Sequence, residues 1–206
     1  MKKFVFLFLA IFAGFSLSSA AVENAAPKSV VEKLIQNIKS IKEDTAKMSP
    51  EEAASNEKRK NEANSLVDVP WLAEWSLGTH WEKRTDKEKK VFSGLVEKIF
   101  KNVAYPKSGG FFRDLEVNFD KEKVKDDTAV VSTTIVHKKE GEIEIEFKLR
   151  SVKGNWLVYD VILDGVSLGR NLKTKFQQII QDNSYAELVR RLEKKIEERA
   201  IPEGLL

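Results

Sequence analysis

Cysteine is absent from the 206 residues. That excludes disulfides, thiolate metal sites, a cysteine nucleophile and the acylated cysteine of a bacterial lipoprotein. Histidine is almost as scarce: His80 and His137 stand far apart and make no ligand cluster. An excess of one charge is also missing. Thirty-five basic and thirty-two acidic residues leave a formal net charge of +3, interspersed along the chain, so there is no global basic field to gather nucleic acid. Gly109-Gly110 is the only glycine pair, too little for a phosphate loop. No internal repeat or low-complexity tract is visible.

Long apolar runs are limited to one. Phe4 to Phe15 is apolar throughout, preceded by Lys2-Lys3 and followed by Ser18-Ser19-Ala20. Twelve residues fall short of the roughly 18 that a spanning helix needs, and the basic, apolar and small-residue order is that of a cleavable signal peptide over residues 1–20. Cleavage after Ala20 removes 20 of 206 residues and two lysines, which leaves 186 residues at a net charge of +1. Residues 21–206 are then one domain with a proper core. An exported chain with no anchor, lipid or disulfide reads as a soluble periplasmic protein.

What is present is a change of hydrophobic period. Val30, Val31, Leu34, Ile35, Ile38 and Ile41 follow a helical period, and Ser49-Pro50-Glu51-Glu52 opens a second, mostly charged helix. Asp68-Val69-Pro70 begins an aromatic-rich third. Thr85-Asp86-Lys87-Glu88 is a capping box ahead of a helix with Phe92, Val96 and Phe100 on its apolar stripe, expected to end at Pro106 and Gly109-Gly110. The period then becomes two: Leu115 to Phe119, Ala129 to His137, Ile143 to Leu149 and Trp156 to Leu163 read as strands joined by short loops, hence antiparallel. Gly154-Asn155 reads as a two-residue hairpin, and residues 138–141 as a four-residue loop. Two more helices follow Gly169. Helices, then a meander of about four strands, then helices predict an α+β domain with helices packed on a curved antiparallel sheet.

One motif invites catalysis. Gly165-Val166-Ser167-Leu168-Gly169 matches the G-x-S-x-G nucleophile elbow. The elbow belongs to a largely parallel sheet with its histidine downstream, whereas both histidines here precede Ser167 and the sheet is predicted antiparallel. The competing reading makes Ser167 the N-cap of the next helix, with Asp160 and Asp164 holding the turn. Apolar bulk is the remaining signal. The many phenylalanines and four tryptophans either fill a core or line a cavity, and periodicity does not separate the two.

Trp156, Tyr159-Asp160-Val161, Gly165-Val166-Ser167-Leu168, Asn171 and Phe176 resemble the C-terminal signature of the MlaC (toluene-tolerance) family, periplasmic phospholipid carriers that maintain outer-membrane lipid asymmetry. Leu77-Gly78, Trp81, Phe92, Phe100 and Tyr105 resemble a second block of that family's landmarks, and the likeness runs from Val30 to Ile196. Departures are Leu172-Lys173, where the family commonly has an aromatic–arginine pair, and a highly charged stretch from Lys42 to Asn64.

The resemblance implies a fold enclosing a deep apolar lipid pocket with the headgroup at its mouth. Its wall is expected from Trp75, Phe92, Val96, Phe100, Tyr105, Ile145, Phe147, Tyr159, Val161, Val166 and Phe176, with Val166 and Leu168 closest to lipid. The implied cargo is phospholipid, with no cofactor and no catalysis. The implied partners of the monomer are an outer-membrane lipoprotein-type complex and an inner-membrane ABC transporter with its MCE-domain protein. Two alternatives stand beside it: an envelope scaffold or chaperone domain with a filled core, and an esterase using Ser167.

Overall fold

Helix starts carry the most explicit local chemistry in this chain, and the computed structural model forms them as that chemistry dictates. It describes residues 25–43, 47–113, 115–137, 141–200 and 202; the expected signal peptide and residues 138–140 of the expected loop lie outside these. Helix α1 (Pro27–Ser40) starts on its proline and buries Val30, Val31, Leu34, Ile35 and Ile38. Helix α2 (Pro50–Asn64) opens on a reciprocal box: Glu52 N–H donates to Ser49 Oγ at 3.2 Å, and Ser49 N–H donates to the Glu52 carboxylate at 3.0 Å. Helix α3 (Val69–Leu77) is capped by Asp68, and α4 (Asp86–Ile99) by the Thr85–Glu88 box. Each such cap satisfies amides that the first turn leaves without partners.

The expected stop after α4 does not occur. A π-helical turn, Phe100–Ala104, carries the chain into α5 (Tyr105–Phe112), through Pro106 and across Gly109-Gly110. Tyr105 N–H donates to Phe100 O, five residues back. The wider turn resets the register, and Pro106 falls in the first turn of α5, where its missing N–H is tolerated. Gly109 marks a close approach and not a terminus. A Cβ there would lie 2.6 Å from the backbone oxygens of both Ile38 and Ile41, so the end of α1 rests directly on α5.

The sheet is an antiparallel meander in the order β1-β2-β3-β4-β5: Glu116–Lys125, Thr128–His137, Gly141–Val152, Asn155–Leu163 and Val166–Ser167. Four long strands match the alternating segments; the fifth has two residues. The β3–β4 turn is Lys153-Gly154, one residue earlier than the sequence suggests. Lys153 (φ +52°) and Gly154 (φ +83°) both occupy the left-handed region that a two-residue hairpin requires. Asp164 (φ +45°) and Gly165 (φ +81°) repeat this device between β4 and β5.

Two apolar cores result. In the first, α1 packs with Tyr105 on the sheet face bearing Val131, Ile135, Ile145, Phe147, Leu149 and Val158. The second is all-helical: α3, α4, α6 (Leu168–Asp182) and α7 (Tyr185–Glu197) gather Leu72, Leu77, Phe92, Val96, Phe176, Leu188 and Leu192. Phe100 and Val67 pack against both. Among the described residues no helix is long and apolar enough to cross a membrane.

Candidate functional site

Where the two cores meet, they do not close. A cavity of about 310 Å³ opens between the sheet and the helices, about twice the size of an apolar void known to hold a small aromatic guest. Its floor is Ile145 and Phe147 of β3 with Val158, Tyr159 and Val161 of β4. Leu34 and Ile38 of α1, Leu72 of α3, and Leu168 and Leu172 of α6 supply further wall. The π turn and α5 contribute Phe100, Ala104, Tyr105, Phe111 and Phe112. The helix that runs on through Pro106 thus becomes one side of the cavity.

Of the residues expected at a pocket wall, Phe100, Tyr105, Ile145, Phe147, Tyr159 and Val161 are brought together here. The other five are not. Phe92, Val96 and Phe176 are buried in the all-helical core, where the Phe92 and Phe176 rings meet edge to face at 5.9 Å. Trp75 stacks on Trp71 at 5.4 Å, with the Lys173 ammonium over its ring at 4.6 Å. Val166 is 52 % exposed on the two-residue strand β5. For Phe92, Val96 and Phe176 the reason is that an apolar helical stripe identifies a buried face without saying which core it faces; Val166 lies on no such stripe, its strand being two residues long.

The sequence predicts the helix α1 but not its place in the wall, and the end of α5 is missed altogether. The adjacent pair Phe111-Phe112, in a stretch taken as a break, was the available signal, since loops seldom carry two large apolar residues in succession.

Polar groups are few in the wall. Tyr105 is 4 % exposed and its hydroxyl has no protein partner; burial, and then the charge of Glu97, pushes its ionisation far above the usual tyrosine range. Tyr159 is raised by burial and by Asp160, against an opposing effect of Arg150. Lys107 is exposed and Ser108 half-buried on α5. Asp160 accepts hydrogen bonds from Val161 N–H (2.9 Å), Gly169 N–H (3.0 Å) and Ser167 Oγ–H (2.7 Å). A Cβ on Gly169 would come within 2.9 Å of the Asp160 carboxylate, so that glycine admits the contact.

Ser167 is the N-cap of α6. Its oxygen accepts from Arg170 N–H at 3.0 Å while its hydroxyl donates to Asp160. Its φ of −73° and ψ of 115° are ordinary extended backbone, whereas a nucleophile elbow holds its serine on a sharp, strained turn. Gly165 belongs to the preceding hairpin. Among the described residues no group of three or more histidines, aspartates or glutamates could hold a metal.

An open antiparallel sheet, partly covered by helices and leaving an apolar cavity at their junction, defines an α+β domain built around an internal hydrophobic chamber. The sequence model of the MlaC protein family matches residues 28–194, and the chain belongs to that family. Among solved structures it is similar to a phospholipid-binding protein from Ralstonia solanacearum, solved in complex with a phospholipid. The TM-score is 0.59 at 16% sequence identity, covering 84% of this chain and 95% of that one. No curated protein matches the sequence.

Proposed function

We propose that the protein is a periplasmic phospholipid carrier that takes acyl chains into the cavity between sheet and helices and shuttles lipid between membrane complexes. The observation that carries this reading is the cavity itself, apolar on nearly every side in a member of a phospholipid-carrier family. The similarity to a structure holding a phospholipid supports it. The physical need is plain. At about 0.8 kcal/mol per methylene, two chains of roughly fifteen methylenes carry about 24 kcal/mol of gross hydrophobic free energy, which confines a free phospholipid to its bilayer. A carrier must offer comparable burial, offset by the costs of opening and desolvation so that the lipid can leave again.

In this reading the signal peptide directs export. The partners are a lipoprotein-type complex at the outer membrane and an ABC transporter with an MCE-domain protein at the inner membrane, and the net result is outer-membrane lipid asymmetry. Ser167 has a structural task, and the protein is a carrier and not an enzyme.

Filling the cavity tests the proposal. Val161 is half-buried in the wall beside open volume, so Val161→Trp places its ring in empty space. Co-purifying phospholipid, measured by mass spectrometry, should fall at least about fivefold in a folded protein. Val166→Trp, on the exposed β5, should keep its lipid. Equal lipid in both variants would put the lipid outside this cavity and overturn the proposal, and a folded wild type that carries none would favour a filled-core scaffold.

A further inference from the structure

We infer that the mouth of the cavity docks on a lipid bilayer, with Phe111 at the point of contact. This rests on the carrier reading and adds the surface with which the carrier exchanges its lipid. Among the described residues five large apolar side chains stand exposed: Val91, Phe111, Val124, Val136 and Val166. Only Phe111 also lines the cavity. At 41 % exposure it belongs to wall and surface at once, and so marks the rim. Its ring meets Phe112 edge to face at 5.3 Å, and the half-buried Phe112 lines the cavity and packs on the first core. Apolar surface therefore runs without a break from the cavity to the outside of α5.

The rest of that helix face suits a bilayer. Lys107 stands one turn before Phe111, exposed and also in the wall. Its stem can lie on apolar surface while the ammonium stays among headgroups. Gly110 is exposed, and a Cβ there would meet nothing within 4 Å, so it adds no side chain in front of the ring. Charge around the rim is mixed. Lys107 pairs with Glu43 at 3.7 Å, and exposed Arg113 has exposed Glu116 three residues on. Contact therefore rests on the apolar ring and not on net charge, and a neutral bilayer suffices. The 8 residues of α5 are too few to span a membrane, so the helix touches the interface without crossing it. The cargo explains why touching matters. An acyl chain that left through water would expose its methylenes on the way. A rim pressed against the interface keeps them covered, as the apolar face of an interfacial helix is covered.

The experiment loads the exported protein with a fluorescent phosphatidylcholine and mixes it with rising concentrations of neutral phosphatidylcholine vesicles that carry a quencher. Loss of fluorescence times the transfer. Docking predicts a rate that climbs in proportion to vesicle concentration, whereas release through water is set by the protein alone and stays flat. Phe111→Ser should slow transfer at least about fivefold. Phe111→Trp should keep the rate within about twofold of wild type, and Val166→Ser, exposed but outside the wall, should match it. A merely structural role for Phe111 would loosen the grip on lipid and speed its release. Should Phe111→Ser fail to fold, the concentration dependence of the wild type decides the matter. A flat dependence, or a Phe111→Ser rate at or above wild type, overturns docking alone, as does a loaded wild type that gives its lipid to no vesicle. A protein that neither co-purifies with lipid nor loads with any overturns the carrier reading with it.

Discussion

Gly109 shows how one missing side chain sets the distance between two helices. With the oxygens of Ile38 and Ile41 each 2.6 Å from where its Cβ would stand, any larger residue must push α1 away from α5. Gly109→Ala is expected to lose about 2 kcal/mol, as overpacked sites do. Its neighbour is the control: a Cβ on Gly110 meets nothing within 4 Å, and alanine there should be neutral or stabilise by about 0.5 kcal/mol. Urea denaturation of both variants checks this, and equal midpoints would refute the close approach. Asp160 is the other decisive residue. A carboxylate in an apolar strand needs partners, and here it finds the amide of the next residue, Val161, the Ser167 hydroxyl and the Gly169 amide at the start of α6.

Among the elements, α7 shows charge working on a surface helix. The Glu187 carboxylate accepts from Arg190 and Arg191, each at 2.8 Å, and those bonds hold its pKa down to about 2 from an ordinary 4.5. A carboxyl depressed in the folded state stabilises above the unfolded value and loses that contribution as pH falls through the folded one. Wild type should therefore melt above Glu187→Gln at pH 6, and the gap should narrow as pH drops from about 4.5 toward 2. A gap that does not change with pH would contradict the pairing.

Elements were also the scale at which the sequence was most legible. Caps at Ser49, Thr85 and Ser167 are local chemistry, readable over four residues, and the alternation from Glu142 to Leu149 gave strand and exposed face together. The run through Pro106 was not readable, because a π turn and a contact from α1, distant in sequence, make it possible. The same limit governed the cavity wall. Strand period left either face of β3 and β4 open to the cavity, and consecutive residues of β4 from Val158 to Val161 border it, whereas Phe92 and Phe176 sit on helical stripes and face the other core.

The whole molecule is two cores that share Phe100 and Val67 and leave room between them. A chain whose cores fused would be a scaffold; one that keeps them apart has somewhere to put an acyl chain. Interiors pack densely by default, so an apolar cavity of about 310 Å³ calls for an occupant. The measurement that tests this most directly is organic-solvent extraction of the purified, delipidation-naive protein, followed by phospholipid quantification against protein. The carrier account predicts close to one phospholipid per chain; a folded protein that yields none, and takes up none from vesicles, would contradict it.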